Sequence, residues 1–193
     1  MLEFQTRIFP ARRRLFERLA KSQQPLALFI TCADSRIAPS LITHTQPGSI
    51  FVERNPGGLV PLYSEGFTGG VSASIEYAVA VLNVPRIVVC GHSDCGAMKG
   101  ILNPEIVRDL PAVGHWLEHG KRPSGETTAD ELARNNVPVQ IANLLTHPSV
   151  QRSVAAGTLA IQGWFYDIGT GEVTFYPDAT EPRPEESTRN AGD

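Results

Sequence analysis

Three side chains in this 193-residue chain have the types and placement to hold a metal ion: Cys32, His92 and Cys95. His92 and Cys95 stand three residues apart in GHSDCGAM, Gly91 to Met98, while Cys32 opens the separate stretch CADSRI. Two thiolates and one imidazole make a common zinc set, and three protein ligands leave a fourth tetrahedral position for water, the pattern of a catalytic site. Cys95 falls near the expected start of a helix, whose dipole adds to the metal in favouring thiolate. Asp34 and Arg36 flank Ser35 just past Cys32. A planar guanidinium can grip a carboxylate with two hydrogen bonds and fix its direction. A carboxylate so fixed can accept a hydrogen bond from metal-bound water, or itself take the fourth position and displace that water. Zinc with two thiolates and a neutral histidine is formally neutral, so its water is acidified less readily than at a tris-histidine site. Hydroxide is therefore expected to form best toward alkaline pH.

Other reactive types read more plainly. Cys90 ends an apolar run and is expected to be a buried filler. His44, His115, His119 and His147 stand alone and are expected at the surface or at helix caps, and Asp94 reads as a helix N-cap. Arg12, Arg13 and Arg14 form the one dense basic cluster, expected to be a solvated helix face. With a net charge of -3 there is no global field to recruit nucleic acid or acidic membrane. Three widely spaced cysteines do not make a disulfide framework and fit a reducing compartment. No stretch approaches the ~20 apolar residues of a membrane span, and MLEFQTRIFPARRR lacks the plan of a secretory signal. A cytoplasmic location, or a compartment filled from the cytoplasm, is expected.

The elements that must position these residues alternate between strand and helix. Residues 11–21 carry Leu15, Phe16 and Leu19 at helical spacing. LALFIT, Leu26 to Thr31, predicts a buried strand running into the loop of Cys32. PSLITH predicts a short helix, SIFVER a second strand, and NPGGLVP an irregular segment. Val71, Ile75, Ala78, Val79 and Leu82 predict a helix over 69–83. RIVVC is a third strand that delivers GHSDCGAM, with a helix opening behind it. Residues 104–118 and 126–145 predict two further helices, and TLAIQGWFYD with GEVTFYP a strand pair. The alternation predicts an α/β fold, a mostly parallel central sheet flanked by helices. Such sheets place their chemistry in the loops beyond the C-terminal strand ends, where TCADSRI and GHSDCGAM both fall. One domain over 1–177 is expected, followed by an acidic, mobile tail over 178–193.

CADSR followed by GHSDCG resembles the zinc signature of the β-class carbonic anhydrases, and QPGSIFVERN, GGVSASIEYAV, IVVCGHSDCGAMKG and IQGWFYDIGTGEV resemble family segments in family order. The resemblance covers the chain to about Pro177 and is closest to the plant and cyanobacterial type. It implies a carbonate dehydratase that interconverts carbon dioxide and bicarbonate by metal-hydroxide attack. It also implies one zinc per subunit held by Cys32, His92 and Cys95, with Asp34 and Arg36 as the orienting dyad. It further implies that Gly96 places substrate oxygen through its amide and that Gln23, Phe51 and Tyr77 line the substrate pocket. A homodimer would be the minimum active unit, the N-terminal helical arm packing on the partner. Phe29 stands where a bicarbonate-inhibited type carries tryptophan, and Pro56 and Gly58 depart from the usual loop. The same ligands would also serve a hydrolase for carbon disulfide or carbonyl sulfide, or a non-catalytic zinc-stabilised scaffold.

Overall fold

The computed structural model describes residues 1–66 and 69–180. Most of the tail expected to be mobile, 181–193, lies outside them, and Ala179 still donates its amide to Ile161 at 3.1 Å. The N-terminal arm is a helical turn over Phe4–Ile8, another over Phe9–Ala11, and helix α1, Arg13–Leu19. It begins earlier than the predicted 11–21 and buries no residue against the rest of the chain. Its aromatic side chains pack on one another instead, Phe9 stacking on Phe16 with ring centroids 5.2 Å apart.

Strand β1, Ala27–Cys32, is buried along its whole length, which explains its unbroken apolar run. It starts and ends one residue later than predicted, leaving Leu26 exposed and making Cys32 the last strand residue rather than a loop residue. Helix α2, Pro39–Ile42, precedes strand β2, Ile50–Asn55, and a single tight turn, Pro56–Gly58. The helix predicted over 69–83 is α3, Gly70–Glu76, widening into a π turn over Tyr77–Val81. Strand β3, Arg86–His92, leads to helix α4, Gly96–Leu102. The helix predicted over 104–118 is broken: a 3₁₀ turn over Pro104–Val107 is followed by α5, Pro111–Leu117. Pro111 cannot donate an amide and pushes Leu110 out of helical geometry, to φ -122° and ψ 72°.

Helix α6, Ala129–Leu144, starts three residues later than predicted, at a capping box in which Thr128 and Glu131 exchange hydrogen bonds. It runs through Pro138, whose missing amide would leave the Arg134 carbonyl unpaired. Tyr176 Oη donates to that carbonyl at 2.9 Å, so the sheet side of the fold repairs the gap. Helix α7, Pro148–Ala155, is absent from the sequence reading, although Pro148 at its first position is a start signal. Strands β4, Ala160–Tyr166, and β5, Val173–Phe175, complete the sheet.

The sheet order is β2-β1-β3-β4-β5, with four strands parallel and β5 antiparallel at the edge. Leu28, Ile30, Ile87, Val89 and Ile161 on one face pack against Val137, Ile141 and Leu144 of α6. Val137 sits so close that a Cβ on Gly91 or Gly163 would lie 2.9 or 2.8 Å from its methyl groups. Phe29, Val88 and Cys90 form a smaller cluster on the other face, beside Trp164. Cys90 is the buried filler expected, its thiol pushed up to about 12 by desolvation.

Candidate metal centre

The register brings the three candidate ligands together. Thr31 of β1 pairs with Cys90 of β3, so both strands end at the same level of the sheet edge. Cys32 and His92 are the last residues of these neighbouring strands, and Cys95 is the N-cap residue of α4. The two sulfurs and a ring nitrogen lie within 4.8 Å of one another, and all three residues are buried. Asp94, expected at the N-cap, is displaced from it by one residue. It adopts φ 56°, and the chain turns through this left-handed residue so that Cys95 can face Cys32.

His92 supplies the sharpest test of fit. Its Nδ1 lies 2.8 Å from the Ser93 carbonyl, which can only accept, so Nδ1 carries the proton. The bare nitrogen is then Nε2, fully buried and without a hydrogen-bond partner among the described residues. A buried lone pair facing two sulfurs is costly unless an ion fills the space between them. Cys32 Sγ accepts from the amides of Gly57 at 3.3 Å and Asp34 at 3.4 Å. A hydrogen bond from Cys95 is the largest influence lowering the Cys32 thiol below its ordinary range, and burial opposes it. The same contact, with burial, raises Cys95. Burial would lower the His92 pKa, but the influence of the nearby Cys32 sulfur outweighs it, and the net direction is up. Without metal the three groups compete for protons. A divalent cation would relieve that competition, so the donor set fits zinc.

The dyad is present. Arg36 Nε donates to Asp34 Oδ1 at 3.0 Å and Nη2 to Oδ2 at 2.8 Å, and the Arg36 amide also reaches Oδ1 at 3.0 Å. The Arg36 hydrogen bond is the main cause holding the Asp34 carboxyl well below the usual carboxylate range. Oδ1 is thus saturated, whereas Oδ2 keeps a lone pair for a further donor.

Several residues that build the site are not evident from the sequence. Arg54 reaches across from β2 to donate to the Cys32 carbonyl at 3.1 Å and the Asp34 carbonyl at 2.7 Å. Asn55 clasps Leu59 in both directions, Leu59 N to Oδ1 at 2.7 Å and Nδ2 to the Leu59 carbonyl at 3.1 Å. That clasp closes the turn that aims Gly57 at the sulfur. Gln140 of α6 accepts from the Val60 amide at 2.6 Å and ties the same segment to the helix layer. A polar pair closing strand β2, Arg54-Asn55, is the available sequence signal. Pro56, a departure from the usual loop, is accommodated: its carbonyl accepts from Trp116 Nε1 at 2.7 Å.

Of the remaining predicted residues, Gly96 is exposed at the first turn of α4, and Gln23 is exposed between α1 and β1. Phe51 and Tyr77 meet each other with ring centroids 6.1 Å apart, and Tyr77 is 43% exposed. None of Gln23, Phe51 and Tyr77 lines the narrow cavity beside His92 and Cys95, which is bounded by Gly57, Asn136 and Gln140 among others. His147 is buried rather than at the surface: it holds the N-cap position of α7 and its Nε2 meets the Pro61 carbonyl at 3.0 Å.

Comparison with known proteins agrees with this geometry. The carbonic anhydrase family pattern matches residues 27–173, spanning β1 to the start of β5. A solved structure described as the β-carbonic anhydrase CcaA superposes with a TM-score of 0.85 at 38% identity, covering 91% of this chain and 83% of that one. The chain belongs to the β-carbonic anhydrase family. Members of this family are carbonate dehydratases, which are lyases. A carbonic anhydrase of Pseudomonas aeruginosa is 50% identical over 182 residues, covering 89% of this chain and 82% of the relative. Carbonic anhydrase 1 of Escherichia coli O157:H7 is 46% identical, with 93% and 86% covered. For this β-carbonic anhydrase the predicted α/β fold with its mostly parallel sheet is therefore observed in both its own structure and a relative's.

Proposed function

We propose that this enzyme hydrates carbon dioxide reversibly to bicarbonate and a proton, using one zinc ion per chain held by Cys32, His92 and Cys95. The observation that carries the reading is the orphaned, buried Nε2 of His92 facing two cysteines of opposed proton affinity. Zinc bound there would supply Lewis acidity, lowering the pKa of a coordinated water, though less far than at a tris-histidine site.

The chain's own residues do the rest. The Ser93 carbonyl fixes the His92 ring and its tautomer, and the amides of Gly57 and Asp34 stabilise the Cys32 thiolate. Asp34, kept ionised well into the acid range by Arg36, offers Oδ2 to the hydrogen of the attacking oxygen. Accepting that hydrogen aims the oxygen's other lone pair at carbon. The Gly96 amide, at the exposed first turn of α4, is assigned to meet a substrate oxygen, since amides of a first helical turn lack helical acceptors. Exposed Tyr77 beside Phe51 supplies an apolar wall, with Gln23 added when a second chain covers this side.

A homodimer or larger dimer-based assembly in the cytoplasm is the working form we favour. Phe4 and Ile8 of the arm are exposed, and none of its helical residues is fully buried within the chain. Solved relatives from Sordaria macrospora, 32% identical, are described as tetrameric. No described helix is long and apolar enough to cross a membrane. The names of relatives at 46–50% identity favour hydration over sulfide-releasing hydrolysis or a scaffold role. The test is Cys32→Ser, assayed by stopped-flow hydration with zinc content measured. Loss of both zinc and activity is expected; normal hydration by the variant would contradict the proposal.

A further inference from the structure

Arg36 does more than hold Asp34. Its guanidinium presents one edge to Asp34 and the other to the loop before α4. Nη1 donates to Asp94 Oδ2 at 2.9 Å, and Nη2 donates to the Asp94 carbonyl at 3.1 Å. The arginine is a strut between the loop after β1 and the loop after β3, the two loops that carry the ligands. Asp94 is held in turn from two other directions. Its amide donates to Asp130 Oδ1 at 2.7 Å, from the start of α6, and its Oδ1 is paired with Lys99 of α4. It also occupies a left-handed backbone position at φ 56°. Left-handed geometry is uncommon for a side-chain-bearing residue, and aspartate and asparagine tolerate it best.

These contacts answer a question that the dyad alone leaves open. The Arg36 amide anchors Asp34 Oδ1 to the main chain, but Oδ2, the oxygen left to meet a further donor, is held by the guanidinium alone. Arg36 is 44% exposed, and an exposed ion pair is ordinarily free to swing as a unit. With only its Asp34 edge engaged, the guanidinium could turn toward solvent and leave Oδ2 free to rotate about the anchored Oδ1. Engagement of the second edge by Asp94 removes that freedom. Lys99 offsets the negative charge that would otherwise crowd Arg36 between two carboxylates.

We propose that Asp94 is a positioning residue for the hydration reaction: by gripping the outer edge of Arg36 it fixes where Asp34 Oδ2 points, without touching substrate or metal. This rests on the function proposed above. The consequence is specific. Asp94 uses one oxygen for Lys99 and the other for Arg36, so both must be acceptors. Asparagine keeps the shape and tolerates the left-handed backbone but has a single side-chain acceptor. In Asp94→Asn either Arg36 or Lys99 faces an amide donor, and the strut is weakened without loss of volume.

The experiment compares wild type, Asp94→Asn and Asp94→Ala as zinc-loaded full-length protein. Zinc content, kcat and KM for carbon dioxide hydration are measured, together with the Arg36 Nε–H signal in a nitrogen NMR spectrum. The expected result is unchanged zinc content in Asp94→Asn and a fall in kcat of about 10- to 100-fold, the range usual for groups that orient a metal site. KM stays near the wild-type value, and the Arg36 signal exchanges faster with water. Asp94→Ala falls further in kcat and shows the same faster exchange. Wild-type kcat with an unchanged Arg36 signal in both variants would overturn the proposal. So would loss of zinc from Asp94→Asn, which would make Asp94 a structural support of the ligand loop. If wild type itself does not hydrate carbon dioxide, the reading of the reaction fails. The Arg36 signal still decides whether Asp94 restrains the dyad.

Discussion

At the residue scale, the chemistry rests on which atoms are left with something to give. His92 Nε2 has a lone pair and no partner, and Asp34 Oδ2 has a lone pair beyond its bond to Arg36. Asp34→Asn tests the second. The amide has one acceptor where the carboxylate has two, and Arg36 has two donors aimed at that position. The substituted side chain therefore cannot satisfy Arg36 and also receive a hydrogen from the attacking oxygen. Zinc content should stay at the wild-type level, because Asp34 contributes only its backbone amide to Cys32. Hydration should fall by at least about 10- to 100-fold. Metal analysis and stopped-flow rates on the same sample check this, and normal hydration would remove the orienting role. These residue types are legible in the sequence. Their hydrogen-bond state is not, because the Ser93 carbonyl that fixes the His92 tautomer is a backbone group with no signature in composition. Asp94 departs from expectation for a related reason. A polar residue before a helix commonly caps it, but here Cys95 must occupy that position to reach the other ligands.

At the element scale, two strand ends and one helix start are brought into register, and glycines allow the close approaches. Gly58 has φ 60°, and a Cβ there would lie 3.1 and 3.2 Å from the backbone of Thr31 and Cys32. Gly58→Ala combines a left-handed penalty of about 1–2 kcal/mol with overpacking of about 1–3 kcal/mol. The backbone it would push carries Cys32, one of the proposed zinc ligands. We expect a clear loss of thermal stability together with weaker zinc retention against a chelator; a variant with wild-type values in both would show that the turn yields freely. The strands are legible because β1 and β3 are buried on both faces and read as apolar runs. The helices are less so. The break between Val107 and Pro111 and the start of α7 at Pro148 both depend on prolines, and local pattern alone reads through the first and past the second. The clasp of Asn55 on Leu59 and the reach of Arg54 join separate elements. Their partners become neighbours only once the sheet has formed.

At the scale of the whole molecule, the chain carries more apolar surface than its own fold covers. Phe4 is 45% exposed and Ile8 40%, on an arm with no buried residue, and Tyr77 stands open beside Phe51. Patches of this kind on a folded chain mark contact surfaces. Light scattering should give a mass of at least two chains, and removal of residues 1–21 should yield smaller species with reduced activity. A fully active monomer would contradict this. The sequence shows the apolar stripe of the arm, but a stripe does not say whether it faces the same chain or another. The central claim is that Cys32, His92 and Cys95 together hold a zinc ion that makes this protein a carbon dioxide hydratase. Stopped-flow hydration by the same preparation before chelation, after zinc removal and after reloading tests it most directly. The account predicts activity that disappears with the metal and returns in proportion to zinc regained, up to one ion per chain. Undiminished hydration by the metal-free protein would contradict it.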